Sequence, residues 1–492
     1  MGPLPGVARL SQAPPLPARG PAECPSLART VPPAAPPPTG AVAEAPKLPV
    51  CRMHRHSVRF RGTAAALAAL LAACQTGSPP SHGGAADTLP SPAAGSGSAP
   101  AARNAPPSQA RVLTGLEVLV RDSLALVRGK RVGLITNQTA VTSRGESAVD
   151  VLAHAPGMRL VALYGPEHGV RGTVEGGVGI ANQRDSATGV PVYSLYGQTQ
   201  KPTAEMLRDV DVLMFDIQDI GARPYTFVWT MALAMEAAAA RHIPFVVLDR
   251  PNPITAMAQG PMMEREIRDQ HVGQAITGLY PVPLRHGMTA GEVARYVNAE
   301  FHVNADLHVI PAAGWTSGMW FDQTGLRWVN PSPNIRSQDA ALKYSGLVLA
   351  EATNVAVGRG TDAPFSYLGA PWLRAGAVLE AVRKYDLQGI RLDSVVITPQ
   401  GGRPHHMIRL AVTDRNRVDM PFVTLALLSE IKRLHPTQFK IEDPPGMTQM
   451  LGSRWAMAAF QRGDDPRQIQ QRWTRELAAW RQMQDRYRIY PR

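Results

Sequence analysis

Residues 162–172, ALYGPEHGVRG, follow an apolar run and set an acid beside an imidazole, Glu167-His168, between Gly165-Pro166 and Gly169. Neighbours on a strand point apart, but a turn eased by glycine lets both face one cleft. Glu167 then suits a general acid, its proton retained by a partly apolar cleft or a neighbouring carboxylate, with His168 contacting or orienting a substrate. The stretch FDIQDIGARPYT, residues 215–226, adds Asp216 and Asp219, which converge if a turn starts near Gln218. Two or three carboxylates around one cleft are what glycoside hydrolysis needs. One must arrive protonated to serve the leaving oxygen while another supports the oxocarbenium-like state. Glu167, Asp216 and Asp219 are therefore the candidate catalytic acids. Arg223 is a candidate clamp for an anionic substrate group, with a salt bridge to either aspartate as its competing use. A metal held by Glu167, His168, Asp216, Asp219 and His286 ranks second, because no H-x-x-x-H, H-E-x-x-H or H-x-D spacing is present. Nucleophilic chemistry ranks lower: there is no G-x-S-x-G elbow and no cysteine after Cys74.

These residues need a scaffold that brings loop ends together. The runs RVGLITNQT, MRLVALYGPEHG, VPVYSLYG, VDVLMFDIQDIGAR and IPFVVLDRPNP alternate with the helical patterns GESAVDVLAHA, TAEMLRDV and YTFVWTMALAMEAAAARH. Near-continuous Val/Ile/Leu runs separated by helices predict a parallel sheet buried on both faces, hence a Rossmann-like α/β domain over 111–318. No G-x-G-x-x-G follows the first strand, so the dinucleotide fingerprint is missing and no cofactor is expected. Nearly every strand ends in polar residues: Asn137, Glu167-His168, Asp216 and Asp219, then Asp249, Arg250 and Asn252. Singly, each reads as a cap or turn former; together they mark the sheet edge where open α/β folds bind ligands. RHGMTAGEVARY predicts a helix with Thr289 and Glu292 as a capping box, and His286 just before it is a candidate substrate contact.

From residue 319 the texture changes, predicting a smaller α+β C-terminal domain over 319–492. Strand-like SVVITPQ and HMIRLAVTD precede the helix PFVTLALLSEIKRLH and an amphipathic tail. Its loop EATNVAVGRGTDAPF offers Glu351, Asn354 and Arg359 around Gly358 and Gly360, beside the rigid turn NPSPNIRS.

The net charge of +12 does not signal nucleic acid. Up to residue 110, nine Lys/Arg face three Asp/Glu, which gives +6 and leaves only +6 for the rest, without a basic-aromatic run. Residues 53–74, MHRHSVRFRGTAAALAALLAAC, have the basic start and short apolar core of a secretory signal, and their end resembles a lipobox with Cys74 as the lipidated residue. The Pro/Ala-rich residues 1–52 read as a mis-assigned start or disordered chain, and 75–110 as a flexible Ser/Pro/Gly/Ala tether. A body tethered to the bacterial cell envelope, facing the periplasm from the outer membrane, is the expectation.

The motifs LITNQTAV, GPEHGVRG, TGVPVYSLYG, FDIQDIGARPYT, FVVLDRPNPI, PLRHGMTAGEVA, NPSPN, EATNVAVGRGT and LGAPWL occur in the order of the bacterial exo-β-N-acetylmuramidases, the NamZ family, which the chain resembles from about residue 112 onward. The resemblance implies release of non-reducing-end β-1,4-linked N-acetylmuramic acid (MurNAc) from peptidoglycan fragments, with MurNAc–GlcNAc saccharides as partners. It also implies Glu167 as general acid; Asn137, Asp216, Asp219, His168 and Arg223 as cleft residues; and Glu351, Asn354 and Arg359 from the second domain. The competing readings are a muropeptide-binding lipoprotein that does not cut, and a metal-dependent esterase or amidase.

Overall fold

The structure, a computed structural model, describes residues 111–172, 183–197, 199–267, 277–400 and 402–492. Strands β1 (Arg131–Thr136), β2 (Arg159–Gly165), β3 (Gln183–Arg184), β4 (Pro191–Ser194), β5 (Val212–Asp216) and β6 (Phe245–Leu248) come first. The short pair β7 (Gln259–Met262) and β8 (Pro283–Arg285) precedes β9 (Leu307–Ile310). The large sheet has the order β3-β4-β2-β1-β5-β6-β9, parallel except for β3. Each apolar run of the sequence forms a strand, and β5 and β6 are buried at every residue, as strands covered on both faces require. This is the α/β, Rossmann-like sheet expected.

Helix α1 (Gly115–Val118) enters the body, and α2 (Ala148–Ala153) and α3 (Phe227–Ala239) follow β1 and β5. The stretch TAEMLRDV forms only turns; its bonds, Leu207 N to Thr203 O and Val210 N to Leu207 O, never extend into a ladder. Eight residues are too few to offset the nucleation cost of a helix without a large buried face. Helix α4 (Ala290–Glu300) starts on the expected capping box, with Thr289 and Glu292 bonding each other's backbone N–H.

The later residues form α5 (Gln338–Leu347), the antiparallel sheet β10-β12-β11 (Tyr367–Ala370, His405–Val412, Ile390–Ile397) and α6 (Ala375–Val382). Helices α7 (Met420–Leu434), α8 (Pro444–Leu451), α9 (Arg454–Arg462) and α10 (Pro466–Tyr487) complete the chain. A contiguous buried cluster joins Ile135, Phe215 and Trp229 to Leu368, Leu427 and Trp473, so sheet and later helices share one core. Helix α10 returns to the first half: Trp480 donates its indole N–H to His286 O, and the Gln484 amide donates to Ala256 O and Gly287 O. The last residues continue this. Tyr490 donates to Asp249 Oδ2 at 2.7 Å, Ile489 N donates to Glu292 Oε1, and Ser317 N donates to Pro491 O.

Candidate active site

The order of the large sheet reverses between β1 and β5, so the usual ligand crevice would lie beyond their carboxyl ends. Here protein fills it. Asn137 Oδ1 accepts from Thr139 N and Oγ1, and Thr139 Oγ1 accepts from Gln218 N. Gln218 in turn donates to Pro251 O, and Asn252 to Met288 O. Most polar strand ends that marked a site in the sequence are thus bonded within the protein, as buried polar groups tend to be, while Asn137 Nδ2 and Asp219 Oδ1 are buried without a partner among the described residues.

Three expected cleft residues are absorbed in this network. Asp216 is fully buried, with Oδ1 2.5 Å from Arg250 Nε and Oδ2 3.1 Å from Arg250 Nη2. A bidentate ion pair occupies both oxygens, which corrects the expectation of Asp216 as an acid facing the cleft. Asp219 accepts from Gly221 N at 2.7 Å and meets His286 Nε2 at 3.2 Å. Met288 N donates to His286 Nδ1, so a neutral His286 carries its proton on Nε2 and donates to Asp219. This pair is buried behind the cavity wall rather than presented to a ligand.

Arg223 also departs from the expected clamp. Its guanidinium is fully buried and donates to Pro261 O, Val282 O and Met450 O at 3.2, 2.9 and 2.5 Å, and burial pulls its pKa down. Gly452, in left-handed conformation after α8, lies under it; a Cβ there would stand 2.6 Å from Arg223 Cζ. Arg223 therefore bolts the first half to α8. Asn354 is likewise structural, bonding Lys440 N and Gln438 O.

The cavity lies to the side of the switch point, beyond β2 and β4, where later residues roof the sheet. It has a volume of about 660 Å³, and its lining includes Glu167, His168, Tyr196, Tyr225, Thr226, Asn334, Arg336, Tyr344, Glu351, Arg359 and Phe365. The turn after β2 closes by Gly169 N donating to Pro166 O at 2.9 Å, with His168 at φ 71° in the third turn position. That position favours Gly or Asn, so a histidine there holds strain of about 1 kcal/mol and turns its ring onto the same cavity as Glu167. Thr226 Oγ1 lies 3.0 Å from Glu167 Oε2. From the second half, Glu351 pairs with Arg359, Oε1 to Nε at 2.5 Å, and Arg359 lies over the Phe365 ring. The structure thus brings Glu167, His168, Glu351 and Arg359 together, and leaves Asn137, Asp216, Asp219, Arg223, His286 and Asn354 outside the lining.

Sequence reasoning passed over the aromatic wall. Tyr225 meets Phe227 and Tyr344 edge to face at 4.8 and 5.7 Å, and Tyr344 meets Phe365 at 5.0 Å. Burial raises the Tyr225 phenol above its ordinary range, so it stays protonated beside the acids. The motif RPYT carries Tyr225, but a lone aromatic residue has the same local pattern in a cavity wall as in a core. Gly358 approaches Tyr367, whose ring would stand 3.0 Å from a Cβ, whereas Gly360 borders the cavity. Among the described residues no group of three or more His, Cys, Asp or Glu is arranged to hold a metal ion, and no helix is long and apolar enough to cross a membrane. The signal-like segment with Cys74 lies outside the described residues.

Known proteins resemble the whole body, not the cavity alone. Residues 132–339 match the family described as exo-β-N-acetylmuramidase NamZ, N-terminal, and 342–490 match its C-terminal counterpart. The peptidoglycan β-N-acetylmuramidase NamZ of Bacillus subtilis (strain 168) is 39% identical over 396 residues, spanning 80% of this chain and 94% of that protein. A crystal structure of a DUF1343 family protein from Bacteroides fragilis NCTC 9343 superposes with a TM-score of 0.72 at 34% identity, covering 77% of this chain and 99% of the other. A second protein of that family and organism gives 0.61 at 25% identity, covering 78% and 99%. The chain belongs to the exo-β-N-acetylmuramidase NamZ family.

Proposed function

We propose that this protein is an exo-acting glycoside hydrolase that releases β-1,4-linked MurNAc from the non-reducing end of peptidoglycan fragments, with Glu167 as general acid. The observation that carries the reading is the cavity itself. Its lining holds Glu167 and His168, set by a strained turn, together with the Glu351–Arg359 pair of the second half. Its volume is that of a small-ligand site. Glu167 donates a proton to the leaving glycosidic oxygen as the bond to the anomeric carbon breaks, and the nearby carboxylate charge of Glu351 favours the oxocarbenium-like state. Tyr225 and Tyr344 exclude water from one side. Arg359, and Arg336 at the rim, give the cavity cations suited to a sugar carrying a lactyl carboxylate.

General acid catalysis has its own signature in leaving-group dependence. Glu167→Gln should lower turnover of a MurNAc-GlcNAc disaccharide by roughly 10²–10⁴-fold. It should lower turnover of a nitrophenyl MurNAc glycoside far less, because nitrophenolate departs without a proton. Equal losses on both substrates would remove Glu167 as the acid, and binding of the disaccharide by wild type without turnover would favour a binding protein. The lipobox-like end of residues 53–74 supports an anchored, envelope location; Cys74→Ala should move the protein from membrane to soluble fractions, and unchanged fractionation would refute the anchor.

A further inference from the structure

Thr226 occupies the N-cap position of α3, yet its side chain makes no cap. The reason is conformational. An N-cap hydroxyl normally reaches the helix's free N–H groups from extended backbone, and Thr226 sits at φ −78°, ψ −15°, already helical. Its hydroxyl instead lies 3.0 Å from Glu167 Oε2, while its carbonyl accepts from Trp229 N and Thr230 N. Thr226 is 8% exposed and lines the cavity, so this contact is largely shielded from bulk water. From this geometry we infer that Thr226 is a positioning residue for the acid: its hydroxyl donates to Oε2, which fixes the transferable proton on Oε1 and steadies the carboxylate as that proton leaves.

The inference rests on Glu167 being the proton donor. A carboxylic acid has one carbonyl oxygen and one hydroxyl oxygen, and an O–H donor pointed at Oε2 selects Oε2 as the carbonyl oxygen. As the proton passes to the glycosidic oxygen, negative charge grows on the carboxyl group and the bond from Thr226 becomes charge-assisted. The contact is therefore stronger in the transition state than in the ground state, which is the condition for accelerating the step. The amino end of α3, with its partial positive charge, acts in the same direction.

Thr226→Val keeps the shape and removes the hydroxyl, and Thr226→Ser keeps the hydroxyl. On a MurNAc-GlcNAc disaccharide, Thr226→Val should lower kcat about tenfold or more with KM nearly unchanged, and Thr226→Ser should retain most of the activity. On a nitrophenyl MurNAc glycoside, whose leaving group departs without a proton, Thr226→Val should lose far less than on the disaccharide, a split that lost packing would not produce. Equal losses on the two substrates, or no recovery in Thr226→Ser, overturn the inference. Failure of wild type to cleave either glycoside would overturn the proposed function, whereas wild-type turnover with an unaffected Thr226→Val overturns the Thr226 role alone.

Discussion

Asp216 offers the sharpest separation of a structural acid from a catalytic one. Both of its oxygens face Arg250, at 2.5 and 3.1 Å, and the two side chains are 0% and 5% exposed. Two unit charges about 4 Å apart attract by about 4 kcal/mol at an effective dielectric constant of about 20. Removing one partner of a buried pair costs about 3–5 kcal/mol, because the other is left charged and desolvated. Asp216→Asn should therefore destabilise the body by that amount. With about 2.1 cal/mol/K of unfolding entropy per residue over about 380 residues, the melting temperature should fall by about 4–6 °C. Asp216→Asn/Arg250→Met removes both charges and should recover part of the loss. The assay is differential scanning fluorimetry beside disaccharide turnover at 20 °C or so below the melt, with Glu167→Gln as the reverse case: activity lost, melting temperature kept. An Asp216→Asn protein that melts within about 1 °C of wild type but loses turnover as severely as Glu167→Gln would refute the reasoning and restore Asp216 to the chemistry.

Two other buried groups give further tests. Arg223→Met orphans Pro261 O and Met450 O at about 1–3 kcal/mol each, while Val282 O keeps Met263 N, and it should lower the melting temperature while changing KM for MurNAc and GlcNAc glycosides by the same factor. A selective rise for the MurNAc glycoside with unchanged melting would return Arg223 to the role of clamp. Burial pushes the Glu292 carboxyl up to about 7 from its ordinary 4.5. A raised acid is neutral in the fold and ionised in the unfolded chain between those values, so its stability contribution is intact below about pH 4.5 and lost as pH rises through about 7. Relative to Glu292→Gln, wild type should lose about 3 kcal/mol of unfolding free energy across that window, measured by urea titration. Parallel curves for the two proteins would contradict it.

The sheet was legible in the sequence because its physics is local: a strand covered on both faces must be apolar along its length, and β1, β5 and β6 are. The α4 capping box was legible for the same reason, since its partners are three residues apart. The site was legible only in part. Glu167, His168, Glu351 and Arg359 line one cavity, whereas an aspartate at a strand end looks the same whether it faces a substrate or an arginine. Asp216 meets an arginine 34 residues away, and Arg223 finds Met450 O across 227 residues. No local pattern encodes such pairings. Thr226 illustrates the converse, a residue that resembles an ordinary cap and is diverted by a backbone angle that sequence does not display.

The contact between Tyr490 and Asp249 gives the chain an order of events. Asp249 ends the apolar run of β6 with 0% exposure, and one of its donors arrives 241 residues later, two residues before the chain stops. At about 5–20 residues per second, a ribosome needs about 12–50 s to make that span. Throughout it the first half carries a carboxylate that its own sheet edge cannot fully solvate, together with Glu292 awaiting Ile489 N. A protein without Ile489 and Tyr490 would keep every residue that lines the cavity and leave both acids one donor short. These two residues therefore bear on the stability of β6 and α4 from about 200 residues further along the chain, without touching the chemistry.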